Sequence, residues 1–371
     1  MHTPRILVTG IGFVAAPTLH DALAGHLADP PETAPEITAF ETPEGAPAFG
    51  FEAPEFKIET YLPNIKSFVD RTSAFALAAG KLALEDAGLL ERDKRPAGLE
   101  IGCAYGTQFG CLEAMEIFWK KVKATNPKFA APLPFTHGYA NSPSSLLCIE
   151  FGLKGSAATF SGEALAGVEA LRFAADQLQT GNAQAVLVCA SESLTRALHA
   201  HLFATKKLSA SGQPALWSGA AEGIVPGEGG AALLLETDSA AAARGRKAYA
   251  ELADVQLGGT GAFSKLANGK PDLIIAATPS VHDRAERDAW QSAGAQAACI
   301  APKLFAGELF AAAPLLSAVW AASLLQEHPA PLAKTQTLSG APRAAASISD
   351  AAVDALDASG TAGVIRLSAF R

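Results

Sequence analysis

The stretch Gly152-Leu153-Lys154-Gly155-Ser156-Ala157-Ala158-Thr159-Phe160-Ser161-Gly162-Glu163-Ala164-Leu165-Ala166 decides the fold. Ala157–Phe160 reads as a strand, Ser161-Gly162-Glu163-Ala164 as a short turn, and a helix opening on small residues runs on to about Thr180. The pattern returns where Cys299–Ile300 precedes Ala306-Gly307-Glu308-Leu309-Phe310-Ala311 and a helix to about Gln326. Small residues at a helix start let a sheet or a second helix approach closely. Two matching units predict a duplicated α/β architecture with both helices central and buried. Two Ala-rich helices alike by coincidence are the alternative.

Outward from this stretch, Arg5–Gly12 reads as a buried strand ending in a Gly turn, and the Pro/Glu/Thr-rich Asp29–Phe56 as a surface excursion. From Ser67 a long helix follows, with Phe68, Phe75, Leu77, Leu82 and Leu84 as apolar positions and Gly88 as its C-terminal stop. Leu99–Tyr105 is a strand and Cys111–Lys123 an amphipathic helix carrying Leu112, Met115, Phe118 and Trp119. Pro143–Phe151 is a short helix with Ser142 placed to cap it. Ala183–Cys189 is a continuous apolar run, as in a strand covered on both faces. A second half begins near Ala248, with strands at Tyr249–Leu257, Asp272–Ala277, Ala297–Ala301 and Gly363–Leu367. The expected division is 1–245 and 246–371.

Of the 371 residues, 49% are hydrophobic and 18% charged, which excludes a largely disordered chain. A net charge of −8 speaks against a basic nucleic-acid footprint. Charges and Pro interrupt every apolar run before a membrane span is reached; Ala285–Gln326 is broken by Arg287, Asp288, Lys303 and Glu308. The N-terminal MHTPRILVTGIGFV reads as a first strand rather than a signal peptide, so the expected location is cytoplasmic. Cys103, Cys111, Cys148, Cys189 and Cys299 are scattered, and His199 and His201 lack a third ligand, so neither disulfides nor a metal is expected. Gly227-Glu228-Gly229-Gly230 is no phosphate loop, close backbone packing explains it, and no cofactor is expected.

Several of these segments, in this order, resemble the β-ketoacyl synthases of the thiolase fold. Lys66-Ser67-Phe68-Val69-Asp70-Arg71 followed by FALAAGKLALEDAGL resembles that family's early "K…DR…" helix. PLPFTHGYANSPSSLLCIEFGLKG is similar to the segment leading to its active-site strand. GNAQAVLVCASES resembles its "GDAD…AGG.E" strand, PGEGGAALLLE its Gly-rich stretch, and Ser359-Gly360-Thr361-Ala362-Gly363 its C-terminal "GGTNG". The resemblance implies a five-layered αβαβα fold from two duplicated halves, assembled as a dimer across the nucleophile region.

It also implies a Cys nucleophile at a helix N-terminus and two His donors that drive decarboxylation and hold the enolate oxygen. Counting forward without a gap from Gly152-Leu153-Lys154-Gly155 puts the nucleophile position at Ala164, which has no nucleophile. The family's Lys is retained at Lys303, while Glu308 stands at one His position and the other falls near Thr278, with His282 several residues out of register. Losing all three in an otherwise intact scaffold resembles the chain-length factors of type II polyketide and aryl-polyene-like systems. The expectation is a non-catalytic subunit that pairs as a heterodimer with an intact ketosynthase and shapes its acyl tunnel. Acyl carrier protein would dock mainly on that partner. Its dimer face would include Pro132–Phe151 and the Ala157–Ala164 strand. Alignment of Ile101-Gly102 places Phe109 at the tunnel gate, with Leu112, Met115 and Trp119 along its wall; ordinary core packing is the alternative. Two other functions stay open: an independent acyltransferase or decarboxylase using Ser161 or Glu308, and a homodimeric acyl-binding protein. Glu163 and Glu308 are expected to cap helices, with Lys303 as a partner for Glu308.

Overall fold

A computed structural model describes residues 3–23, 29–65, 68–217, 223–259, 271–295, 297–326, 336–337 and 348–370. Lys66 and Ser67 therefore lie outside the described residues.

The first half runs β1 (Ile6–Ala15), α1 (Pro17–Leu23), α2 (Ile58–Tyr61), α3 (Arg71–Asp86), β2 (Ile101–Thr107), α4 (Leu112–Ala124), α5 (Pro132–Thr136) and α6 (Ser142–Phe151). It continues through β3 (Ala157–Ser161), α7 (Ala166–Gln179), β4 (Ala185–Glu192), α8 (Arg196–Ala204), β5 (Gly229–Thr237) and α9 (Asp238–Ala243). The second half has β6 (Ala250–Gly259), β7 (Leu273–Ala276), α10 (Asp283–Ser292), β8 (Ala298–Ile300), α11 (Lys303–Ala306), α12 (Ala313–Gln326), β9 (Gln336–Thr337), β10 (Asp350–Leu356) and β11 (Thr361–Ser368).

The strand order β3-β2-β4-β5-β1-β6-β11-β10-β7-β8-β9 contains the duplication. Outward from the centre, β1-β5-β4-β2-β3 is mirrored by β6-β11-β10-β7-β8, and every corresponding pair has the same sense. β1·β5 and β6·β11 are antiparallel, as are β4·β5 and β10·β11; β2·β4 and β7·β10 are parallel, as are β2·β3 and β7·β8. The halves join where β1 meets β6 through Leu7–Glu251 and Val8–Ala250. The copies are unequal: residues 16–100 separate β1 from β2, but only residues 260–272 separate β6 from β7.

Between the two halves of this continuous sheet lie the two helices of the echo, α7 and α12, and their small residues are what let them meet. A Cβ on Gly167 would stand 2.3 Å from the carbonyl oxygen of Ala311, so the helix starts touch backbone to backbone. On the other side of the sheet's first half, α3 packs as closely. A Cβ on Gly10 or Gly12 of β1 would lie 2.3 Å from the carbonyls of Ala83 or Ala79, so these glycines serve packing, not a turn. The buried Asp70 starts two helices at once, accepting from Thr72 N of α3 and Ala114 N of α4, each at 2.8 Å. Gly88, at φ 71°, ends α3 as expected, with Leu89 N bonded to Leu84 O. With α6 beside α3, and α10 packed on the second half through the fully buried Trp290, the layers run helix–sheet–helix–sheet–helix.

Two readings need correction, and one strand has no counterpart in the sequence reading. Ser142 does not cap α6: Asn141 holds that position, and Ser142 Oγ donates to Thr136 O at 3.1 Å. The 29–56 excursion is not all surface, since Ala34, Ile37, Phe51 and Ala53 are buried. Asp350–Leu356 is a central strand that period-2 reasoning misses, because a strand buried on both faces has no alternation.

Candidate functional site

Three turns converge: those that follow β2 and β3, and the one between α11 and α12. After β3, Ser161–Leu165 leads into α7 and places Ala164, 2% exposed, at the start of the central helix. After β2, Gln108–Gly110 presents Phe109. Before α12, Gly307 at φ 68° and Phe310 at φ 49° bend the chain sharply. A bulky side chain at positive φ is strained, and such strain persists only where packing over-determines it. Here the Phe310 ring is 3% exposed and meets Phe109 edge to face, centroids 4.9 Å apart at 88°. Around them remains a cavity of about 90 Å³, with Ala164, Phe109 and Phe310 in its lining and His201, Lys207 and His282 beside them.

The expected acid and base positions lie behind this cavity. Glu308 is 1% exposed, and its Oε1 accepts from Ser280 N at 3.0 Å and Ser280 Oγ at 2.7 Å. Its Oε2 has no hydrogen-bond partner among the described residues, and burial pushes its carboxyl above the ordinary range, with the Lys303 charge pulling the other way. Lys303 Nζ donates to the carbonyl of Thr278 at 2.7 Å, so the lysine reaches Glu308 through its field rather than through the expected contact. Thr278 N donates to Glu286 at 3.2 Å and its hydroxyl to Asp354 at 3.4 Å. Burial, with Glu286 nearby, raises the Asp354 carboxyl well above its usual value. Glu286 also accepts from Trp217 Nε1 at 2.7 Å.

Several expectations change on this geometry. Neither Glu163 nor Glu308 caps a helix: Glu163 accepts from Ala358 N at 3.0 Å, bridging to the β10–β11 turn. His282, out of register in sequence, comes to the cavity, where burial lowers its pKa and Glu163, Lys207 and Asp357 act on it through charge. His199 and His201 diverge. His199 is buried against Pro47 O at 2.9 Å, while His201 faces the cavity, and no metal-binding group of three side chains exists among the described residues. Ser161 is exposed at the end of β3. Gly227 is a point of close packing, since a Cβ there would stand 1.9 Å from Ala306 O.

The α4 stripe splits. Phe109 and Leu112 pack on the cluster of Leu198, Leu202, Ile224 and Phe310. Met115 lies against Gly138, where an added Cβ would come within 2.4 Å of its sulfur. Trp119 is 51% exposed and belongs to an outer aromatic row with Phe118, Phe135 and Tyr139. Ile117, Phe129, Leu133 and Ile149 are exposed as well, so most of the exposed large apolar side chains among the described residues fall between 117 and 149. Beside this segment, β3 is an edge strand whose outer side pairs with nothing among the described residues. One buried group was given no role in the sequence: Glu192, closing the apolar β4, appeared there only as the final Glu of the stretch resembling the family's "GDAD…AGG.E" strand.

Residues 24–241 match the family model described as beta-ketoacyl synthase, N-terminal domain, and the chain belongs to that family. A 3-oxoacyl-acyl-carrier-protein synthase 2 of Synechocystis sp. is 29% identical over 257 residues, 67% of this chain and 61% of that protein. The like-named protein of Vibrio cholerae is 28% identical over 270 residues, 70% of this chain and 64% of that one. The chain thus matches about six-tenths of the length of these curated relatives. Among solved structures, a β-ketoacyl synthase from Burkholderia phymatum superposes with a TM-score of 0.84 at 20% identity, covering 99% of this chain and 100% of that one. The ishigamide ketosynthase/chain length factor gives 0.81 at 19% identity over the whole of both chains. The fold is therefore the thiolase-like αβαβα fold. Among the described residues, no helix is long and apolar enough to cross a membrane.

Proposed function

We propose that this chain is a non-catalytic, chain-length-factor-like subunit that pairs with an intact ketosynthase and shapes its acyl tunnel. The observation that carries the proposal is the vacancy at Ala164, which lines one small cavity with Phe109 and Phe310, near an edge strand whose outer side has no partner among the described residues. Alanine offers no atom to hold an acyl group, and a cavity of about 90 Å³ is well below the roughly 300–1,000 Å³ of sites that take a drug-sized ligand. The buried Glu308 and Thr278 stand where the resemblance implies imidazole donors. β3 and the apolar 117–149 segment supply what a protein interface needs: a template for strand pairing and an apolar patch. That a structural neighbour is a ketosynthase/chain length factor adds to this reading.

In the heterodimer, residues 1–245 would supply the pairing face and the gate, and residues 246–371 the second copy of the fold. The reaction, acyl transfer and condensation on a carrier protein in the cytoplasm, would be the partner's. A neighbouring structure holds a type II ketosynthase with its acyl-carrier protein, and the −8 charge of this chain favours docking of an acidic carrier on the partner's side. An independent enzyme is less well supported, because Ser161 is exposed while Glu308 is committed to Ser280. A homodimeric acyl-binding protein would need a larger cavity at Ala164, and the cavity of about 590 Å³ elsewhere is lined by Glu52, Arg71, Glu113, Glu116 and Glu228, which suit an acyl chain poorly.

The test is co-expression with an intact ketosynthase, followed by native mass and condensation assays. A one-to-one complex that condenses only with both chains present is the expected result, and F109A in this chain then yields longer products. Turnover of an acyl-carrier substrate by this chain alone would overturn the proposal.

A further inference from the structure

The β2–α4 turn that carries Phe109 is held by a group from a different strand. Glu192, the last residue of β4, is 1% exposed and sends its carboxyl under the turn. Its Oε1 accepts from Gln108 N and from Thr107 Oγ1 at 3.1 Å, while its Oε2 accepts from Phe109 N at 3.3 Å. Thr107 Oγ1 in turn accepts from Gly110 N at 3.0 Å. The three successive amides 108, 109 and 110 are thus all gathered by Glu192 and its hydroxyl partner. No helix or sheet ladder fixes this turn, and buried backbone donors need acceptors. The geometry fits a clamp rather than a reacting group, since the carboxyl bonds two backbone amides and a threonine hydroxyl and does not line the cavity.

We propose that Glu192 is the positioning residue that sets the gate: it fixes the Phe109 backbone so that the ring stands edge-on to Phe310 in the wall of the cavity that Ala164 lines. This rests on the tunnel-gate reading of Phe109 made above, and goes beyond it by naming what holds the gate shut. The distinct contact is the one to Phe109 N. In E192Q the amide oxygen keeps the bonds from Gln108 N and Thr107 Oγ1, but an NH2 group, which cannot accept, faces Phe109 N. The substitution nearly preserves shape and frees one specific amide.

Hydrogen exchange on the purified chain, resolved to single amides, reads this directly. Phe109 N–H is expected to exchange at least tenfold faster in E192Q, while amides of β2, β4 and α7 keep their wild-type rates. In the complex with the intact ketosynthase, E192Q is expected to add longer products to the wild-type set, in the direction of F109A. Unchanged Phe109 exchange overturns the clamp. So does a result in which F109A lengthens the product and E192Q does not, and that result leaves the gate reading standing. If E192Q frees the amide but neither variant alters product length, the gate reading fails and the inferred role of Glu192 fails with it. General unfolding in E192Q would appear as faster exchange in all strands; E192D, too short to reach Phe109 N, then serves as the second variant under the same criteria.

Discussion

The two turns that lead into the central helices come from matching places in a duplicated fold, yet they are built differently. The first, Ser161–Leu165, enters α7 through Leu165 at φ −79° and carries its carboxyl, Glu163, exposed. The second, Gly307–Ala312, holds a buried carboxyl at Glu308 and a phenylalanine at φ 49°. Where the helices cross, both turns use small residues, because Gly167 and Ala311 must touch. Away from the crossing they diverge. Backbone contact thus constrains a few positions in both copies and leaves the neighbouring side chains free to change chemistry. A scaffold can in this way keep its architecture while its reactive groups are replaced.

The crossing itself gives the largest expected effect. G167V forces a side chain against the Ala311 carbonyl and should cost on the order of 3 kcal/mol or more, read as lost soluble yield or a large fall in Tm. Sound folding of G167V would show that the two turns do not meet as described. At the strained turn, F310A should cost about 3 kcal/mol from the lost ring. F310G should then be more stable than F310A by roughly 1 kcal/mol, the reverse of the usual order, because only glycine accepts φ 49° freely. Denaturant melts of the pair measure this difference, and the usual order would mean the strain is absent.

An effect smaller per pH unit follows from Glu192. Burial pushes its carboxyl up to about 8, although hydrogen bonds from Gln108 N, Phe109 N and Thr107 pull it down. In the unfolded chain it would titrate near the ordinary value of about 4.3. Between these values folding takes up a proton, so stability falls as pH rises through the window and levels off above it. Melts from pH 5 to 9 should show wild type losing about 1.4 kcal/mol more per pH unit than E192Q below pH 8, roughly 4 kcal/mol in all between pH 5 and 8. Parallel slopes would mean that Glu192 is ionised throughout. The smallest effect on stability is expected at the outer face. W119A should change stability by no more than about 0.5 kcal/mol, as for an exposed side chain, yet weaken pairing with a ketosynthase by about 1 kcal/mol. Unaltered pairing would remove Trp119 from the interface.

Much of this was legible in residue order because local chemistry reported it. The Gly–Glu turns marked the two central helices, Gly88 marked the end of α3, and the apolar run at 183–189 marked β4. β10 left no such trace, since AAVDAL is as compatible with a helix as with a buried strand. The stripe on α4 misled for a related reason: helical spacing puts Leu112, Met115 and Trp119 on one side, but only packing neighbours decide that Leu112 turns inward while Trp119 faces out.

Taken by itself, the sequence determined the duplicated α/β plan, the family resemblance and the absence of a thiol at position 164, because each depends on residue identity and short-range spacing. The tertiary structure alone decided that His282 reaches the cavity, that Lys303 bonds Thr278 O and touches Glu308 only by its field, and that Glu192 holds the turn of Phe109. These are meetings of elements distant in the chain. They are set by strand order and by how closely glycine and alanine let helices approach, which no local pattern encodes.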